Sequence, residues 1–142
     1  MDDDALHILL LLGFHRSNRE IVRRIKKEGL MPGQPKILEY LWFHNGASQK
    51  EIGRECIIDK STVTSLLKRM EKLDLIRKEV RSEDQRGMSI FLTEKGWEKA
   101  RYIRQIIYSI DDEMWQGIEL EERQQFIRTF HRIIDNEKTW GD

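Results

Sequence analysis

The chain has 142 residues, about one domain's worth, which excludes a large multidomain enzyme. Charged residues make up 35% and hydrophobic ones 39%, with 2 Pro and 9 Gly, a balance that suits a mostly helical folded chain and excludes disordered and collagen-like classes. Net charge is zero, 25 basic against 25 acidic, and the 1 cysteine allows neither an internal disulfide nor a multi-thiolate zinc site, so a reducing, cytoplasmic setting is expected.

A first helix is predicted from Asp4 to about Glu28, with Asp2 to Asp4 at its positive end, Lys26 and Lys27 at its negative end and Gly29 as its stop. Its run from Ala5 to Phe14 is nearly all apolar. Acids precede that run and Arg16, Arg19, Arg23 and Arg24 follow it, the reverse of a signal peptide, and it falls short of the ~20 residues a bilayer span takes. It reads as a helix that buries more than one face. Pro32 and Pro35 bracket the start of a second helix with Ile37, Leu38, Leu41 and Trp42 at helical spacing, closed by Asn45 and Gly46.

Ser48 and Glu51 form a capping box for a short third helix, Gln49 to about Cys56. Ile57 and Ile58 make a tight turn, and Asp59 caps a fourth helix reaching about Leu73. Two short strands follow, Leu75 to Val80 and Met88 to Leu92, around a polar tip from Arg81 to Gly87. Thr93 then caps a long helix from Glu94 to about Trp115, and after Gly117 a last helix runs from Glu119 to about Glu137.

Charge is distributed unevenly: residues 1–59 sum to 0, residues 60–104 to +5 and residues 105–142 to −5. A basic middle beside an acidic end points to one surface that meets a polyanion. On the fourth helix Val63, Leu66, Leu67, Met70 and Leu73 share one side, and Ser61, Thr64, Ser65, Lys68 and Lys72 lie opposite. Short hydroxyls near a helix start let the backbone approach phosphates and base edges, while Lys68, Arg69 and Lys72 can neutralise phosphates, the profile of a recognition helix.

The stretch from Pro32 to Thr93 resembles the MarR family of transcriptional regulators. The resemblance rests on Gln34-Pro35, Ser48-Gln49-Lys50-Glu51, Asp59-Lys60-Ser61-Thr62-Val63-Thr64, Asp84-Gln85-Arg86 and Leu92-Thr93-Glu94-Lys95-Gly96, in that order and spacing. One departure is Met31, where a capping Thr is common. The resemblance implies a mainly α fold with a small β-hairpin wing: a winged helix-turn-helix DNA-binding region over 32–93, a dimerisation helix over 1–31, and a long helix plus a second dimerisation helix over 94–142. It also implies a homodimer whose recognition helices enter successive major grooves of a pseudo-palindromic operator, with the wings in the flanking minor groove.

The candidate DNA-binding set is Gln49, Lys50, Lys60, Ser61, Thr62, Thr64, Ser65, Lys68, Arg69, Arg81, Asp84 and Arg86. Arg86 suits a narrow minor groove, with Asp84 holding its arm and Arg81 on phosphate. Leu6, Leu9, Leu10, Phe14, Phe126, Ile127, Phe130 and Ile134 form the candidate dimer interface. The resemblance further implies an effector, a small aromatic or lipophilic compound, an oxidant or a metal, and the sequence decides little among them. Phe14, Tyr40, Trp42, Trp97 and Tyr102 could line a pocket; Cys56 reads as a buried core thiol; the four histidines lack the spacing of a metal site. No cofactor is expected, and no phosphate loop, paired nucleophile and base, or buried carboxylate pair marks an enzyme. The alternative is a winged helix that contacts protein alone.

Overall fold

The computed structural model describes residues 2–81 and 87–141 and divides into two compact units, 1–110 and 111–142. In the first unit α1 spans Leu6–Ile25 and tightens into a single 3-10 turn, Lys26–Glu28, which Gly29 ends in the left-handed conformation. Next come α2 (Gln34–Phe43), α3 (Gln49–Glu55), α4 (Lys60–Lys72), β1 (Ile76–Val80), β2 (Met88–Leu92) and α5 (Glu94–Met114), the last continuing into the second unit. There α6 covers Leu120–Asp135 and ends in a 3-10 turn, Asn136–Thr139.

Local chemistry explains the element boundaries. Ser48 Oγ accepts from the Glu51 N–H at 3.0 Å while the Glu51 carboxylate accepts from the Ser48 N–H, so the capping box read from the sequence is formed on both sides. Asp59 caps α4 through the Thr62 N–H at 2.9 Å. Thr93 Oγ1 accepts from the Gly96 N–H at 2.9 Å and donates to the Asp74 carbonyl at 2.6 Å, fixing where α5 starts. At Met31, the departure noted above, the side chain of Gln34 takes over: its amide oxygen accepts the Met31 N–H at 2.8 Å, and Gly33 at φ +94° serves as the α2 cap.

The strands pair antiparallel, Ile76 opposite Leu92 and Val80 opposite Met88. The α2–α3 loop joins them as a third edge: Gly46 N–H donates to the Ile90 carbonyl at 2.8 Å, and Ile90 N–H to Ala47 at 2.9 Å. Gly46 sits at φ +92° with the Phe91 ring 3.0 Å from where a Cβ would stand, so a side chain there would strain the backbone and crowd the ring.

The core of this unit lies where α2, α3, α4, the hairpin and α5 meet. Ile37, Leu38, Leu41, Ile52, Leu67, Met70, Ile90 and Ile103 are fully buried, each contributing ~2 kcal/mol by transfer from water. Two expectations change. Leu73, placed on the apolar stripe of the fourth helix, is its C-cap and stays 43% exposed, because the helix ends there and the chain turns at Asp74. The sequence reading has the first helix burying more than one face, whereas in the single chain Ile25 is its one buried residue: its C-terminal end packs on the core and leaves Leu6, Leu9, Leu10 and Leu11 between 42% and 62% exposed. In the second unit Trp115 meets Phe126 edge-on at 5.7 Å, and Phe126 stacks on Phe130 at 5.6 Å. No helix of the described residues is long and apolar enough to cross a membrane.

Candidate nucleic-acid interface

Helices α3 and α4 are joined by the turn 56–59, in which Ile57 takes φ +57° and Ile58 N–H returns to the Gly53 carbonyl at 2.9 Å. The turn holds α4 across α3, with Val63, Leu66, Leu67 and Met70 facing the core. The opposite side of α4 exposes Lys60, Ser61, Thr62, Thr64, Ser65, Lys68 and Arg69. Every candidate residue assigned to this helix therefore stands outside the core, on a face with no acid between Lys60 and Met70.

Much of the hydroxyl chemistry on this face is already committed within the protein. Ser61 Oγ and Thr62 Oγ1 each donate to the Asp59 carboxylate at 2.7 Å. The Thr62 backbone N–H, then the Thr62 and Ser61 hydroxyls, hold that carboxyl down at about 2. Thr64 Oγ1 donates to the Lys60 carbonyl at 2.9 Å and accepts from Gln49 Nε2 at 2.6 Å, tying α3 to α4. Ser65 makes no side-chain hydrogen bond among the described residues, and its hydroxyl is open to solvent. Arg69 leans on the Met31 sulfur at 2.8 Å. The sequence pattern put these residues on one face but carried no sign of which hydroxyls are tied down; the Gln49–Thr64 bond spans 15 positions.

Where the hairpin strands end and its tip begins, Arg81 lies 3.6 Å from Glu51 and 3.5 Å from the Gly46 carbonyl, its side chain 17% exposed. It links the wing to the α3 capping box. A cleft of ≈ 780 Å³ between α3, the start of α4 and the tip end of the hairpin strands is lined by Gln49, Lys50, Arg54, Lys60, Arg81 and Met88, among others. Four of those six are cationic, so the cleft attracts anions. Asp84 and Arg86 lie outside the described residues.

The five aromatic candidates are spread out. Trp42 and Trp97 meet edge-on at 5.3 Å, and Arg104 lies over Trp42, Phe43 and Tyr108 at 4.6, 4.8 and 5.3 Å. Tyr40 stacks on His44 at 4.5 Å, and Phe14 is 60% exposed beneath Lys36. Tyr102 lines a polar cavity with Glu28, Lys95, Glu98 and Lys99 that takes none of the other four. Arg104, which the sequence reading passed over, is the group that gathers aromatic rings. Cys56 is buried against the Lys36 carbonyl, 3.6 Å away, and burial pushes its thiol up to about 11. Of the candidate interface residues, Leu6, Leu9, Leu10 and Phe14 on α1 and Phe126, Ile127 and Ile134 on α6 are exposed, Phe130 partly so.

Residues 30–88 match the family model described as MarR family. The chain is 34% identical to the HTH-type transcriptional regulator MgrA of Staphylococcus aureus over 99 residues, covering 66% of this chain and 67% of that protein. It is 45% identical over 60 residues to the HTH-type transcriptional regulator TtmR of Methylorubrum extorquens; that match covers 42% of this chain and spans 31% of the length of TtmR. Among solved structures, the S. aureus MepR–DNA complex superposes with a TM-score of 0.81 at 20% identity, covering 96% of this chain and 99% of that one. A Mycobacterium tuberculosis MarR family protein, Rv2887, in complex with salicylic acid does so with 0.74 at 18%, covering 93% and 98%.

Proposed function

The chain belongs to the MarR family of transcriptional regulators, and we propose that it binds a pseudo-palindromic DNA operator as a homodimer and releases it when a small aromatic or lipophilic effector binds. The observation that carries the reading is the outer face of α4, basic and rich in hydroxyls, held by a buried opposite stripe in the second helix of a helix-turn-helix. The solved MepR–DNA complex has the same fold and supports DNA as the ligand.

In this reading α4 enters the major groove. Ser65 donates to base edges, and Lys60, Lys68 and Arg69 neutralise phosphates alongside Lys50. Arg81 steadies the wing through Glu51, Arg86 reaches the minor groove, and Asp84 orients it. Regions 1–31 and 94–142 serve dimerisation around the DNA-binding region 32–93. The apolar residues exposed on α1 and α6 ask for cover, and a second chain supplies it for both. For the effector, Rv2887 with salicylic acid is the supporting likeness, and the rings around Arg104 would be its receiving surface.

The test is a titration of labelled duplexes from the DNA around the protein's own gene, and of a randomised duplex pool. The expected result is a saturable complex of two chains per duplex. If neither DNA is bound above nonspecific levels, the reading fails and protein partners become the subject.

A further inference from the structure

Thr64 stands on the exposed side of α4 in the same row as Lys68, yet its hydroxyl proton is committed inside the protein and cannot be donated to a base. A hydroxyl has one proton to donate; that of Thr64 goes to the Lys60 carbonyl one turn back, at 2.9 Å. The oxygen in turn receives the Gln49 amide at 2.6 Å. Threonine in a helix divides between two rotamers, and the bond to the carbonyl four residues back selects one of them. The second bond, from a different helix, pins the same rotamer from outside. What Thr64 has left for a partner is one oxygen lone pair and its γ-methyl group, the latter held in one orientation.

We propose that Thr64 reads a thymine in the major groove by contact between its γ-methyl and the thymine 5-methyl, with Gln49 as the positioning residue that fixes the rotamer. Thymine is the base that carries an apolar group on its major-groove edge, and threonine methyls are suited to meet it. The neighbouring serines do not duplicate this role, and Thr62, whose hydroxyl is tied to Asp59 but receives no bond from a second helix among the described residues, is the internal comparison. Ser61 has no methyl, and its hydroxyl is tied to Asp59; Ser65 keeps an open hydroxyl and reads by donation. The face thus divides into an apolar reader and a polar one at consecutive positions of α4. The inference rests on α4 being a DNA-reading helix.

The experiment starts from the duplex that wild-type protein selects from a randomised pool, with its thymines replaced one at a time by deoxyuridine, which lacks only the 5-methyl. One position per half-site is expected to weaken wild-type binding about fourfold, the worth of one buried methyl. Thr64→Ser keeps both hydroxyl bonds and loses the methyl, so it should bind the two duplexes equally. Thr64→Val loses both hydroxyl bonds but holds one χ1 rotamer in a helix by its own branching, so it keeps a methyl in place and should retain the discrimination, while Gln49→Ala, which leaves threonine free to divide between two rotamers, should reduce the thymine-to-uracil ratio. The proposal is overturned if no thymine position is sensitive, if the sensitivity persists in Thr64→Ser, or if it is lost in Thr64→Val. Failure to select any duplex would instead refute DNA binding itself, a distinct outcome.

Discussion

Gly96, in the first turn of α5, packs directly on the Leu75 carbonyl at the entry to β1: a Cβ there would overlap the carbonyl oxygen and lie 3.0 Å from its carbon. The obstacle is backbone, which cannot rotate away. Gly96→Ala is therefore expected to force α5 off the hairpin and to destabilise the fold by ~3 kcal/mol, the upper range for overpacking. Chemical denaturation of the two proteins measures it; a loss under ~1 kcal/mol would mean α5 can slide without penalty.

Ile57 presents the opposite case. It is 88% exposed and held at φ +57°, a conformation that costs a β-branched residue 1–2 kcal/mol, roughly, while its side chain buries almost nothing in return. Ile57→Asn, a residue that tolerates this conformation, should stabilise the protein by ~1 kcal/mol. Thermal unfolding would register a higher Tm.

Asp59 couples α4 to pH. Its carboxyl is held down at about 2 by the Thr62 N–H and the Thr62 and Ser61 hydroxyls, against an ordinary value of 3.8. A depressed carboxyl stabilises the folded state above the unfolded value, and that stability is lost as pH falls through the folded one. Wild type should exceed Asp59→Asn in stability at neutral pH, and the gap should close between about pH 4 and pH 2. A constant gap in denaturation curves across that window would contradict the account.

Leu10 tests the proposed dimer. It is 42% exposed in the single chain, so Leu10→Glu costs the isolated fold little while placing a charge in the proposed interface. Light scattering should show the dimer mass of wild type and a single-chain mass for the variant. An unchanged dimer would move the interface away from this part of α1.

The parts of the fold legible in the sequence are those written within a few residues. The capping box Ser48–Glu51, the Asp59 and Thr93 caps and the strand Met88–Leu92 each follow from adjacent side chains, and each is where the sequence places it. The side of α4 that faces out was equally legible from its period. What escaped was non-local. The pairing of residues 46–48 with β2, the Gln34 bond that replaces a cap at Met31, the Gln49–Thr64 bridge and the ring of aromatics at Arg104 join positions that no local pattern connects. Of the aromatic candidates Trp42 and Trp97 meet, while Phe14, Tyr40 and Tyr102 lie against other groups, because a shared residue type does not fix a place. The apolar run of α1 states that cover is needed but not which chain supplies it.

The most direct measurement for the central claim is duplex binding by fluorescence anisotropy across a range of salt, for wild type and for Arg86→Ala and Lys68→Ala. The account predicts that affinity falls steeply and linearly with the logarithm of salt. Lys68→Ala should make that slope shallower by about one, and Arg86→Ala should weaken binding by roughly 1–3 kcal/mol. Affinity that is indifferent to salt and unchanged in both variants would contradict the assignment of α4 and the wing to DNA.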